Sequence, residues 1–456
     1  MRPSQYLPYK LHIGTSYSDI WKVSLPIIVG SAAQNVVALT DSVFLYYLSE
    51  TDFAAITMVA SFYIVVAAIG FSFSRGAQIL ISLKAAQGQD KTVGRIFYSM
   101  VYFELVMAIV MFLFMTYGVW YLFSAFVDSD QIFYKCMDYL ETRKWGVFAS
   151  YVGVSIVALY TGLARPVFIL IDTIILAAVN IFLDHALIFG AYGFPAMGMA
   201  GAGMASTIAE YVALGIFLLY VIFDKKNRKY LATKLPRWDA GLIRQMMRLS
   251  GPIVAMAVAG LGSAFIFFGL VDKLGERTLA VTNVVRIAYL IFAIPCWGFS
   301  SGTNTVVSYF IGRRKRQAIV PMLWKTANLC VAVTVALMLP LILFPKRVLY
   351  PIFGDERAYL IQEAYPSLLV LFGILIVFSY GSIFFNGMIG AGATKRALYV
   401  QVVCAIGYTL LVALIINSPI ASLPLAWSME MVYWGIIFAI SYRFITGKHW
   451  WKWRSG

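Results

Sequence analysis

The chain has 456 residues, of which 61% are hydrophobic and only 12% charged. A soluble domain carries about a quarter charged residues, so this composition excludes an ordinary soluble fold. The net charge of +15 does not indicate nucleic acid either, because the basic residues recur in alternate loops, where membrane orientation accounts for them.

The first long apolar stretch, Leu25 to Leu48, reads LPIIVGSAAQNVVALTDSVFLYYL and carries one acid, Asp41. With about 20 apolar residues per crossing, the chain yields about twelve spans. The first six run near 25–48, 53–83, 96–123, 145–163, 167–190 and 201–223. The second six run near 252–271, 279–310, 318–344, 366–389, 398–416 and 425–444. The fold class expected is an all-α polytopic membrane protein of twelve transmembrane helices in two pseudosymmetric six-helix lobes. A transmembrane barrel would instead show short alternating segments.

Orientation comes from the loops. Lys84, Lys91, Arg95 and Arg165 fall on one side, with the cluster Lys225 to Arg237, then Arg313 to Arg316 and Lys395 with Arg396. The opposite loops hold Glu50, Asp52, Asp128, Asp130 and Asp138, or no charge. This bias places both termini in the cytoplasm, and the expected location is the inner (plasma) membrane. No cleavable signal peptide is read in the first twenty residues. The domains expected are a cytoplasmic segment 1–24, an N-lobe 25–223, a cytoplasmic linker 224–248, a C-lobe 249–446 and a basic aromatic tail 447–456, read as an interfacial anchor. The four cysteines form no disulfide or zinc framework.

The halves are copies. A shift of 226 positions, without a gap, pairs Ser24 with Ser250, Pro26 with Pro252, Glu50 with Glu276, Tyr63 with Tyr289, Gly76 with Gly302 and Ser82 with Ser308. Six spans per copy make a parallel repeat, which is a transporter signature.

Acids at membrane depth are costly and mark function by default. In the fifth span, Asn180 and Asp184 are four apart and share a helical face. Asp184 lies sixteen residues beyond Phe168, and Asp41 lies sixteen beyond Leu25. At 1.5 Å per residue both stand about 24 Å along helices that run the same way. Neither acid has a counterpart in the other half. Burial penalises charge on such a pair, so it suits binding and release of a proton. The alternative is a sodium cage at Asp41, Asn180 and Asp184 with backbone oxygens. Gln34, seven before Asp41, shares its face and either lines the same cavity or bonds a neighbouring helix. His185 points about 100° away from Asp184 and reads as a packed histidine. Glu210 and Glu430 occupy equivalent repeat positions and suggest a shared structural role. Arg286 needs an anionic partner or water. Glu104, Asp172 and Arg75 lie nearer the cytoplasmic side, within snorkelling reach. Tyr139 sits near the outer mouth. No nucleotide-binding G-x-x-x-x-G-K-[ST] loop exists, which argues against direct ATP drive. No catalytic residue is assigned, and three histidines in all give metal or Ser–His chemistry little support.

LPIIVGSAAQNVVALTDSVFL, then NIFLDHALIFG and AMGMAGAGMAST, resemble the multidrug and toxic compound extrusion (MATE) transporters over nearly the whole chain. WGFSSGTNTVVSYFIG and GMIGAGATKRA, from Gly387, match further family segments. The resemblance implies an outward-facing V of two lobes and export of organic cations or amphiphiles against proton or sodium entry. It places Asp41, Asp184 and Asn180 at the cation-coupling site, and Gln34, Tyr139 and Thr207 around the substrate cavity. The seventh span lacks an acid, so the chain resembles the branch with its coupling acids in the N-lobe. The first glycine-rich loop is eroded to YTGLARPVF, which leaves the turn after the fourth span open. The function expected is a cation-coupled antiporter, with no cofactor beyond the coupling ion, working as a monomer in the lipid bilayer. The alternatives are a flippase for a lipid-linked saccharide or related amphiphile, and a membrane enzyme using Asp41 and Asp184 as an acid–base pair.

Overall fold

The computed structural model describes residues 14–127, 129–225, 230, 238–353 and 358–447, without the side chains of 33–36, 38, 39, 276, 351–353 and 358. Most of the basic linker cluster, Asp128 and nearly all of the aromatic tail lie outside the described residues, as does the side chain of Gln34. The described elements are helical. They are α1 (Tyr17–Leu48), α2 (Glu50–Ala86), α3 (Asp90–Leu113), α4 (Val119–Ser124), α5 (Asp130–Arg143), α6 (Gly146–Gly162), α7 (Val167–Phe189) and α8 (Gly198–Phe223). There follow α9 (Ala240–Asp272), α10 (Glu276–Phe292), α11 (Ile294–Gly312), α12 (Ile319–Leu343), α13 (Pro345–Phe353), α14 (Ala358–Gly390), α15 (Thr394–Ile416) and α16 (Leu423–Thr446). Nine spans among the described residues are long and apolar enough to cross a bilayer, and two bent helix pairs raise this to eleven. The 32-residue α1 makes the twelfth.

Several boundaries differ from the sequence reading: α9 starts at Ala240 rather than 252 and α14 at Ala358 rather than 366, and three further differences matter more. α1 starts at Tyr17, not Leu25, and carries Pro26 inside, which neighbouring helices make tolerable in a membrane. The eighth span is broken, with α10 and α11 meeting at 42°. Pro295 at the start of α11 has no N–H for the Ile291 carbonyl one turn back, so the helix cannot run straight. The fourth span gains α5, which meets α6 at 55°.

By contact density the chain divides into two compact units. One is Val29–Ser250; the other joins Gly14–Ile28 to the chain from Gly251 onward. The core of the first gathers Leu45, Ile56, Val59, Met111, Tyr151 and Ala202. Lipid supplies no hydrophobic drive between helices, so close approach at small residues does the work. Within the first unit, a Cβ on Gly201 would meet the Leu187 carbonyl at 2.5 Å, and one on Gly203 would meet the Tyr139 carbonyl at 2.5 Å. The GAG stretch of α8 is therefore what lets α7 and α5 close on it.

The internal repeat holds at backbone level. After α2, the amides of Gln87, Gly88 and Gln89 donate to the carbonyls of Leu83, Ala85 and Lys84. After α11, 226 positions on, Arg313, Arg314 and Lys315 donate to Tyr309, Ile311 and Phe310. Ser250 packs where Gly76 leaves room, and its hydroxyl donates to the Phe73 carbonyl (2.6 Å). Ser24 stands likewise 3.0 Å from where a Cβ on Gly302 would be. The eroded loop makes the same turn as the intact one. Leu163, Ala164 and Arg165 donate to Leu159, Thr161 and Tyr160, just as Ala391, Gly392 and Ala393 donate to Gly387, Ile389 and Met388. The left-handed position is Ala164 (φ 52) in the first copy and Gly392 (φ 80) in the second.

Candidate functional site

α1, α7 and α8 bring three polar side chains to one point. Asn180 Nδ2 donates to Ser206 Oγ (3.2 Å), and Ser206 Oγ donates to Asp41 Oδ2 (3.3 Å). Asp184, one turn beyond Asn180 on α7, lies within direct interaction range of Asp41. Asp184 and Asn180 are fully buried and Asp41 is 6% exposed. Four of their oxygens, Asp41 Oδ1, Asn180 Oδ1 and both of Asp184, have no hydrogen-bond partner among the described residues. Orphaned buried oxygens are costly, and here they converge. A proton on the acid pair, or a hard cation that takes oxygen ligands, would satisfy them. Among the described residues no three His, Cys, Asp or Glu side chains group as a metal site, so any cation cage must draw on Asn180 and Ser206. The juxtaposition of Asp41, Asn180 and Asp184 agrees with the sequence reading; Ser206 was not singled out there.

Asp41 also lines a cavity of about 420 Å³ with residues of α1, α2, α5, α6, α7 and α8 around it. Tyr139 and Ser206 line it, as do Tyr63, Arg143, Glu210 and Asp172. Tyr139 stands near Ser206 and both acids. Thr207 is turned away, its hydroxyl donating to the Thr142 carbonyl of α5 (3.1 Å), and it is not among the cavity-lining residues. His185 packs by its ring against Phe44, Phe189 and Tyr192, as the 100° offset predicts.

Arg143 was missed by sequence reasoning. Nη1 donates to Glu210 Oε2 (2.8 Å) and Nη2 to Oε1, a bidentate pair. Its guanidinium lies over the Tyr63 ring, 4.1 Å from the centroid, in cation–π geometry. It is close enough to Asp41 to act on it electrostatically. A Cβ on Gly146 would collide with Arg143 Nη1 (2.1 Å) and crowd Glu210 Oε2 (2.8 Å), so glycine at the α5–α6 bend makes room for the pair. The available signal was a basic residue beside an outer loop, against the positive-inside bias. Glu430 accepts from Trp434 Nε1 (3.4 Å) and interacts with Tyr289, the repeat counterpart of the Tyr63 beside Glu210. Arg286 lies over the Phe268 ring, 5.4 Å from its centroid. Snorkelling fails for Glu104, which is fully buried and accepts from Ser74 Oγ (3.0 Å). It fails for Asp172 too, which is 6% exposed and faces the cavity. Both are buried among helices.

The MatE family model matches residues 26–186 and 252–415, one match in each repeat. The chain belongs to the MatE family. Members of this family are transporters, not enzymes. A probable multidrug resistance protein NorM from Thermotoga maritima is 23% identical over 379 residues, covering 80% of this chain and 78% of that protein. A probable multidrug resistance protein NorM from Xanthomonas axonopodis pv. citri is 26% identical over 373 residues, covering 79% and 78%. Among solved structures, an outward-facing multidrug resistance MATE family transporter of the MOP superfamily superposes with a TM-score of 0.87 at 14% identity, covering 96% of this chain and 98% of that one. A MOP superfamily transporter from Pyrococcus furiosus gives 0.86 at 15% identity, covering 96% and 97%. These likenesses establish the all-helical MATE fold for this MatE chain, with its two lobes and twelve membrane helices.

Proposed function

We propose that this MatE protein is a cation-coupled antiporter that exports organic cations or amphiphilic drugs by alternating access of its two lobes, 25–223 and 249–446. It works as a monomer in the inner membrane with both termini in the cytoplasm. The observation that carries the reading is the convergence of Asp41, Asn180 and Asp184 on four unpartnered buried oxygens beside a cavity that Asp41 also lines. A proton or sodium ion taken up there neutralises the acid pair. The hydrogen-bonded link from Asn180 through Ser206 to Asp41 then rearranges, since its acceptor has changed charge. Neutralisation of the pair bends or repacks α1, which weakens cargo binding in the N-lobe cavity and releases the cargo, and an ion-driven exchange results. The multidrug names of the relatives support the cargo class. Against the flippase reading, the charged residues lining the cavity are three acids and one arginine, and that arginine is held by one of the acids. Such a lining suits cations better than anionic lipid-linked cargo.

The test is efflux of a cationic dye from proteoliposomes under a proton gradient and, separately, a sodium gradient. Efflux driven by one gradient and lost in Asp41→Asn names the coupling ion. Normal gradient-driven efflux by that variant would sink the proposal.

A further inference from the structure

Three acids line the cavity, and they are not equivalent. Glu210 is neutralised by the bidentate grip of Arg143. Asp41 accepts from Ser206 and faces Asp184. Asp172 stands apart. It lies twelve residues before Asp184 on α7, about 18 Å along the helix, so the cavity is acidic at two separate levels. Asp172 is 6% exposed, yet its Oδ1 has no hydrogen-bond partner among the described residues. It forms no ion pair with Arg143, whose fork is filled by Glu210.

The surroundings of Asp172 have the chemistry of an amphiphile site. Leu176, the next residue along its face of α7, lines the cavity with it. Phe217 of α8 lines the cavity too, and its ring meets that of Phe168, one turn before Asp172, at 5.5 Å. Phe71 of α2 and Val157 of α6 complete the apolar wall. Ligand pockets of about 300–1,000 Å³ are mostly apolar with a few placed polar groups that fix orientation. A volume of about 420 Å³ falls inside that range and admits a small aromatic cation. A buried carboxylate without a partner is expensive unless a cation reaches it, and an aromatic cation brings both the charge and the apolar body that these walls accept.

We infer that Asp172 is the cargo-recognition acid of the N-lobe: it holds the positive charge of an organic cation whose apolar body packs against Phe71, Val157, Leu176 and Phe217, while Asp41 and Asp184 hold the coupling ion. The inference rests on the antiporter reading above and divides its labour between two levels of one cavity. Asp172 is a specificity residue: it selects for charge on the cargo and leaves the uptake of the coupling ion to the other pair.

The experiment compares two probes of similar shape on purified full-length protein. Tetraphenylphosphonium is a permanent cation, and triphenylphosphine oxide is uncharged. Asp172→Asn should weaken tetraphenylphosphonium binding by roughly tenfold or more, the scale expected when one member of a buried charge pair is truncated. Binding of triphenylphosphine oxide should stay within about twofold, because the apolar wall is intact. Asp172→Glu should recover cation binding. If Asp172→Asn does not fold, Asp172→Ser, smaller than the native residue, carries the same comparison. Unchanged tetraphenylphosphonium affinity overturns the assignment, and so does an equal loss for both probes, which would mean a damaged pocket. Unchanged affinity with lost gradient dependence would move Asp172 to the coupling ion, again against the proposal. Wild-type proteoliposomes that move no cation under either gradient would instead refute the antiporter reading itself.

Discussion

Breaking the Arg143–Glu210 pair should cost unequal amounts depending on which partner is removed. The side chains are 6% and 16% exposed, so the charges are almost wholly out of water. Removing one partner of a buried pair costs about 3–5 kcal/mol, because the other charge stays buried and uncompensated. Arg143 without Glu210 still has Asp41 within electrostatic range and the Tyr63 ring beneath it. Glu210 without Arg143 gains no such substitute, since the neighbouring Lys144 is already bonded to Glu141 (2.6 Å). Glu210→Gln should therefore fall at the lower end, about 3 kcal/mol, and Arg143→Met at the upper end, about 5 kcal/mol. For a unit of about 200 residues, about 2–4 °C per kcal/mol makes these drops of roughly 6–12 °C and 10–20 °C in melting temperature. The double variant, with both charges gone, should melt well above either single one. The assay is thermal unfolding of detergent-purified protein followed by tryptophan emission. A single variant melting within a degree of wild type, or a double variant as unstable as the sum of the singles, would refute the argument.

Two further predictions concern the backbone and the loop ends. An L residue in the left-handed region costs about 1–2 kcal/mol, and glycine gives back about 0.5–1 kcal/mol in entropy. Ala164→Gly should thus stabilise by up to about 1 kcal/mol and Gly392→Ala destabilise by a similar amount; denaturation midpoints of the two variants moving in the same direction would contradict the shared turn. Asp239 caps α9 by accepting from the Leu242 amide (3.0 Å) and pairs with Arg95. The Leu242 amide first, then Arg95, holds its carboxyl below the usual carboxylate range. A depressed value means the contribution is present above the unfolded pKa, near 4, and is lost as pH falls toward the lower folded one. Asp239→Ala should cost about 1 kcal/mol at neutral pH, with the gap to wild type closing below about pH 4. A gap that persists at pH 3 would show that the cap is not electrostatic.

The features legible along the chain were one-dimensional. Apolar run length and the rarity of charge gave the spans, because each crossing needs its own uninterrupted stretch. The 226-residue repeat was legible because Ser24, Gly76 and their partners each serve a close packing contact that only small residues permit. Asp41 and Asp184 stood out because an acid at membrane depth is costly wherever it points. Which neighbour each side chain meets emerged only from the folded packing. Thr207 and Ser206 are adjacent in sequence, yet one bonds the Thr142 carbonyl and the other bridges Asn180 to Asp41. Adjacent helical positions differ by about 100°, and the rotation of α8 is set by Gly201 and Gly203 closing on α7 and α5. Arg143 carries no reading in the sequence, and it meets Glu210 only where α5 and α6 bend by 55°. Asp172 reads in sequence as a snorkelling residue, yet the structure buries it against a cavity lined by six helices. Helix crossing and rotation are set by packing across distant segments, and no local pattern in the chain encodes them.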